Sequence, residues 1–169
     1  MGHPAFSRFG ALGYHQIAKT QMKHPLILGC GNRQRGDDAA GILAAERLGA
    51  LGIAAEVCAG EASELMDAWS GADDVIVIDA VVSGAPAGTV HLWDGQHPPA
   101  FATSAGSTHG LGVVQAIELA RALGCLPTRL RVYGIEGRRF EIGSEVSPEV
   151  ERAIEQVVRR IAAGPGIPR

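Results

Sequence analysis

Three side chains with the chemistry of a metal or hydrolytic site fall where an α/β chain would present them: Asp38, Asp79 and His109. Asp38 ends the stretch Gly29-Cys30-Gly31-Asn32-Arg33-Gln34-Arg35-Gly36-Asp37-Asp38, a glycine-rich turn between an apolar run and a helical pattern. Asp79 closes the apolar run Val75-Ile76-Val77-Ile78. His109 follows Ser107-Thr108 and precedes a second helical pattern. In open α/β sheets, ligands bind beyond the carboxyl ends of the strands, and all three residues map to such places.

The glycine-rich turn invites a phosphate reading, but its residues argue against it. A dinucleotide fingerprint needs glycine where Gln34 stands. A P-loop started at Gly31 spaces Gly36 correctly but puts Asp37 where lysine must be. Two acids at a helix start are favoured by the helix dipole, and they repel phosphate. The loop presents carboxylates rather than an anion cradle.

Each acid also has a plain structural reading. Asp37 reads as the N-cap of the helix that follows. Asp38 turns to a different face, as a solvated first-turn acid or as a ligand. Asp79 sits at the end of a strand that should be deeply buried, so it needs a partner or caps the next turn. His109 can be a surface residue near a helix start or a ligand. Two carboxylates and one imidazole suit a borderline divalent ion such as nickel or zinc, and three ligands leave coordination positions open. No H-E-x-x-H occurs, and the three residues are too far apart in sequence for spacing to prove a site.

A serine hydrolase is disfavoured. There is no G-x-S-x-G, and Ser104 and Ser107 lie in an irregular stretch. Cys30 and Cys58 lie near the ends of neighbouring strands, so either can be read as a nucleophile with His109 or as a buried inert thiol.

The elements that must position these residues follow from periodicity. Leu26-Ile27-Leu28 reads as a buried strand, 53–58 as a second, and Val75 to Asp79 as a central strand covered on both faces. Thr89 to Trp93 alternates like an edge strand, and Arg129 to Ile135 reads as the last strand. Helices are expected over Ala39–Leu48 with Gly49 or Gly52 as its stop, over Glu61–Trp69, Leu111–Leu123 and Pro148–Ile161, the last with Ser147 as N-cap. Residues 98–108 read as irregular. Strands alternate with helices, so the class is α/β with a largely parallel sheet and helices on both faces.

The 169 residues suit one domain, and 46% hydrophobic with 20% charged residues supports an ordinary core. A net charge of −3 gives no footprint for nucleic acid or an anionic membrane. The short basic pairs Arg33/Arg35, Arg138/Arg139 and Arg159/Arg160 read as solvated surface charge. Three cysteines without C-x-x-C argue against a disulfide framework and for a cytoplasmic chain. No run approaches the ~20 apolar residues of a membrane helix. Met22 opens Met22-Lys23-His24-Pro25 directly before the first strand. The expectation is therefore an N-terminal extension over 1–21 outside the fold, a single domain over 22–163 and a frayed tail over 164–169.

Four motifs in order carry a further reading. They are Leu28-Gly29-Cys30-Gly31-Asn32 with Gly36-Asp37-Asp38 and Gly41; Ile78-Asp79-Ala80-Val81-Val82-Ser83-Gly84 with Pro86 and Gly88; Ser107-Thr108-His109-Gly110-Leu111-Gly112; and Gly134-Ile135-Glu136 with Ser147-Pro148-Glu149-Val150. With these motifs the chain, from about Met22 to Ile161, resembles the hydrogenase maturation endopeptidases, the processing proteases of nickel–iron hydrogenase large subunits. The resemblance implies a three-layer α/β sandwich with a twisted, mostly parallel five-stranded sheet and one antiparallel strand. It implies that Asp38, Asp79 and His109 are the metal-binding and catalytic positions. They would engage nickel already inserted in the large-subunit precursor, supplied by that substrate rather than permanently bound. The enzyme would then remove the precursor's C-terminal extension, with Asp37 and Asn32 supporting the loop geometry. Ala39 departs from the glycine that many members carry after the second acid. Two other readings stand beside this one: a relative that binds the loaded subunit without cutting it, and a metal-independent hydrolase.

Overall fold

The computed structural model describes residues 24–103 and 111–164. The expected extension over 1–21, most of the tail, and Ser104, Ser107 and His109 lie outside the described residues.

The elements run β1 (Leu26–Cys30), a 3-10 turn (Gly36–Ala39), α1 (Ala40–Ala50), β2 (Glu56–Cys58), α2 (Ala62–Trp69), β3 (Asp74–Val81), β4 (Val90–Asp94), α3 (Ala100–Thr103), α4 (Leu111–Ala122), β5 (Arg129–Glu136) and α5 (Pro148–Ala162). The strands form one five-stranded sheet in the order β2-β1-β3-β5-β4. All neighbours are parallel except β4, which pairs antiparallel with β5 at one edge. The α/β class, the central place of β3 and the edge place of β4 are as expected from the apolar patterns.

Period-two alternation divides the core into two layers. Leu28, Val75, Val77, Leu130 and Val132 face Leu65 and Trp69 of α2 and Val113, Ala116 and Ile117 of α4. Ile27, Ile76, Ile78, Tyr133 and Ile135 face Ala44 and Leu48 of α1 and Val150, Ile154 and Val157 of α5. Burying a large aliphatic side chain is worth about 1.5–3 kcal/mol, so these two layers hold the sheet between its helices. Helix α1 approaches the sheet closely at Gly41. A Cβ there would overlap the carbonyl oxygens of Ile78 and Cys30, so only glycine lets the helix start sit against the ends of β1 and β3.

Several boundaries differ from expectation, each for a local reason. The second strand begins at Glu56, not at residue 53. Ile53 is occupied in ending α1: its N–H donates to the Leu48 carbonyl at 3.0 Å, and Gly52, at φ 79°, donates to Gly49 at 2.9 Å. That is a glycine C-cap with its characteristic pair of bonds. The stretch read as irregular over 98–108 contains α3, whose Phe101 ring packs on His91 at 4.8 Å and edge-on to Trp93 at 5.8 Å. β3 continues past Asp79 to Val81, so Asp79 lies within the strand's last turn of pairing rather than at its end.

Candidate active site

The two adjacent acids of the first loop do different things. Asp37 does not cap α1. Residues 36–39 form a 3-10 turn without a side-chain cap, and Asp37 is fully buried. Its carboxylate accepts from the backbone N–H groups of Arg138 (2.8 Å), Arg139 (3.0 Å) and Ser147 (2.7 Å), and from the Ser147 hydroxyl (3.1 Å). Burial alone pushes this carboxyl up, but the four donors together outweigh it and hold it below the usual carboxylate range. Ser147 is the N-cap residue of α5, with Pro148 following, yet its hydroxyl serves Asp37 instead of its own helix. Asp37 is thus a buried clasp between the first loop and the segment after β5.

Around Asp38 the loop closes on itself. The Asn32 N–H donates to the Asp38 carbonyl at 3.1 Å, the Asp38 N–H to the Arg35 carbonyl at 3.1 Å, and the Asn32 Oδ1 accepts from Gln34 N–H at 2.9 Å. Gly31, at φ 135°, passes so close that a Cβ would overlap the Asp38 carbonyl oxygen. The Arg35 guanidinium is pinned by donating from Nε to the Phe140 carbonyl at 3.0 Å. This bracing leaves the half-buried Asp38 side chain on the wall of a cavity of about 580 Å³.

Asp79 lines the same cavity. Alternation along β3 places it on the face shared with Val75 and Val77, toward α2 and α4. It is buried, with the Ala80 N–H donating to Oδ1 at 2.9 Å. Burial, and then the negative charge of Asp38, push its carboxyl up to about 7, against the smaller pull of the Ala80 N–H. The rest of the wall comes from Asn32, Arg35, the 59–62 turn between β2 and α2, and Gly112 and Gln115 of α4. Gly112 permits this closure, since a Cβ there would overlap the Gly60 carbonyl oxygen.

Two of the three expected site residues, forty-one positions apart, therefore meet at one cavity. The third, His109, lies outside the described residues. Among the described residues no group of three His, Cys, Asp or Glu side chains is arranged to hold a metal. Two carboxylates, one of them with raised proton affinity from a neighbouring negative charge, are together an electrostatic invitation to a cation.

The cysteine route has little support. Cys30 is fully buried, its contact with Cys58 and its burial push its thiol well up, and neither cysteine lines the cavity. A serine–histidine–acid trio, which sequence reading did not single out, lies instead where β3, β4 and β5 meet. Ser83 Oγ donates to Glu136 Oε2 at 2.7 Å, and His91 Nε2 lies 3.3 Å from Ser83 Oγ and 3.2 Å from Glu136 Oε2. One imidazole nitrogen faces both partners, whereas a relay needs the base oriented through its other nitrogen. Glu136 also accepts from the N–H groups of Ser83 (2.8 Å) and Gly84 (3.0 Å), so the trio is a brace for the loop after β3. Ser83 and Glu136 each fall in one of the ordered motifs, but nothing in the sequence joins them to each other or to His91. Arg35, Gly60 and Gln115 were likewise not singled out for the cavity, because nothing local marks a residue as lining it.

Comparisons with known proteins give the chain a family. The family model described as hydrogenase maturation protease matches residues 59–163. The hydrogenase 2 maturation protease of Escherichia coli (strain K12) is 30% identical over 145 residues, covering 82% of this chain and 88% of that protein. The hydrogenase expression/formation protein HupD of Thiocapsa roseopersicina is 28% identical over 149 residues, covering 79% and 67%. The solved structure of the hydrogenase maturating endopeptidase HybD from E. coli superposes with a TM-score of 0.69 at 28% identity, covering 83% of this chain and 90% of that one. A family match over more than half the chain, with a relative 30% identical across most of both proteins, makes this chain a peptidase of the hydrogenase maturation protease family.

Proposed function

We propose that the chain is the endopeptidase that removes the C-terminal extension of a nickel–iron hydrogenase large-subunit precursor after nickel insertion, and that Asp38, Asp79 and His109 recognise the nickel carried by that substrate. The observation that supports this reading best is the meeting of Asp38 and Asp79 at one cavity. In the free enzyme Asp79 suffers both burial and repulsion from Asp38. A divalent cation delivered with the substrate offsets both effects at once, so the site favours a loaded precursor over an empty one. Carboxylate oxygens with one imidazole suit nickel, and the precursor's thiolates would hold the ion from the other side.

In this reading the chain's own residues do the positioning. Asp37 and Asn32 fix the loop that aims Asp38. β3 aims Asp79 from the sheet. The scissile peptide would lie in the same cavity, where a cation can polarise its carbonyl or a water. A cytoplasmic location belongs to the same proposal and accords with the three free thiols.

The test is nickel dependence. Purified protein is mixed with nickel-loaded and nickel-free precursor, and loss of the C-terminal peptide is followed by intact mass. Cleavage of the loaded form alone is the expected result. Equal cleavage of both forms refutes metal recognition, and binding of the loaded form without cleavage replaces the peptidase reading by that of a chaperone.

A further inference from the structure

Two groups with reactive chemistry are used by nothing described above. Cys30 ends β1, Cys58 ends β2, and the parallel register sets them directly opposite each other. Adjacent strands lie ~4.8 Å apart. Register partners therefore fall inside the window of roughly 4.4–6.8 Å between Cα atoms that a disulfide spans. Both side chains belong to the core layer beneath α2 and α4. The sulfurs are 2.9 Å apart, yet both cysteines are free thiols. Apolar packing at these two positions asks only for small hydrophobic side chains, not for two sulfurs brought together.

The pair is also asymmetric. Cys30 is on an inner strand and fully buried, while Cys58 is on the edge strand and 8% exposed. Cys58 is thus the sulfur nearer solvent, and Cys30 the one held behind it in the core. That is the division of labour between an attacking and a resolving thiol.

We propose that Cys30 and Cys58 form a two-thiol oxidation site in which Cys58 reacts with a small hydroperoxide and Cys30 resolves the product to a reversible disulfide. The Cys58 sulfur attacks one peroxide oxygen, the O–O bond breaks, and hydroxide leaves and is protonated to water. The Cys58 sulfenic acid so formed is attacked by the Cys30 sulfur. The S–S bond forms as the S–O bond breaks, and the Cys30 proton leaves with the hydroxyl as a second water. Two thiols and one hydrogen peroxide become one disulfide and two waters, and a dithiol reductant reverses the change. Gly31 follows Cys30, and Ala59 and Gly60 follow Cys58; all three line the cavity of Asp38 and Asp79. The cross-link therefore ties together two stretches of one cavity wall. The chemistry is independent of the proposed peptidase reading and is tested without it.

The full-length protein is treated with hydrogen peroxide, denatured, alkylated and analysed by intact mass and peptide mapping. The expected product has lost two hydrogens and takes up one alkyl group, at the exposed Cys125, instead of three. A Cys30–Cys58 linked peptide is found, and a dithiol restores three labelled sites. Cys125→Ser forms the same link. Cys30→Ser instead yields a Cys58 sulfenic acid that a dimedone probe traps. Retention of three alkylated sites after peroxide overturns the proposal, as does oxidation confined to Cys125. Accumulation of Cys58 sulfinic acid in the unmutated protein without a linked peptide overturns it equally.

Discussion

Replacing Asp37 by alanine tests the claim that two neighbouring acids have separate jobs. The Asp37 carboxylate accepts four hydrogen bonds, and the one from the Ser147 N–H, at 2.7 Å, is buried. A hydrogen bond to a charged group contributes about 1.5–3 kcal/mol, and an orphaned buried N–H costs about 1–3 kcal/mol. The Arg138 and Arg139 N–H groups are only partly buried, so water replaces much of what they lose. Relief of the buried charge offsets some of the loss. The net cost is about 3 kcal/mol, a large part of a typical 5–15 kcal/mol stability. At about 2–4 °C per kcal/mol for a chain of this size, the melting temperature falls by roughly 6–12 °C. Urea unfolding followed by circular dichroism measures it, with Asp38→Ala as the comparison, expected within about 1 kcal/mol of wild type. The acid limb adds a second readout. The folded Asp37 carboxyl lies below its unfolded value of about 3.9, so its contribution is whole above that pH and is lost as pH falls through the lower folded value. Asp37→Asn should flatten that part of the stability–pH curve. A cost below about 1 kcal/mol for Asp37→Ala, or an equal cost for Asp38→Ala, would refute the assignment.

Asp79→Asn should do the opposite. Its folded carboxyl sits near 7, above the unfolded value, so the native state loses stability as pH rises from about 4 through 7. At pH 8 the amide should be more stable than wild type by up to roughly 4 kcal/mol, and near pH 4 the two should unfold together in urea. Glu136→Ala removes the acceptor for Ser83 and Gly84 and should cost about 2–4 kcal/mol in the same assay without a change in sheet content.

The layers of this fold were legible because their cause is local. Four consecutive β-branched residues before Asp79 can only be a strand covered on both faces, and that strand stands at the centre of the sheet. The burial of Asp79 was legible for the same reason, and the structure places it on the cavity wall beside Asp38. Asp37 and Asp38 could not be separated by sequence, because what distinguishes them arrives from residues 138–147, about a hundred positions away. The cap reading of Asp37 failed on that long-range contact. The start of β2 was misplaced because the end of α1 uses Ile53 for its own hydrogen bonds. The pairing of Cys30 with Cys58 depends on strand register, which two short apolar runs do not specify. His109 lies outside the described residues, and its role rests on the motif alone.

The most direct measurement of the central claim is single-turnover cleavage of nickel-loaded precursor by Asp38→Asn and Asp79→Asn, each first shown by circular dichroism to be folded. Both variants should lose activity by more than about 100-fold, beyond the losses of about 10–100-fold typical of residues that only support a ligand. Cleavage by either variant at the wild-type rate would contradict the reading of this cavity as the place where the substrate's metal is recognised.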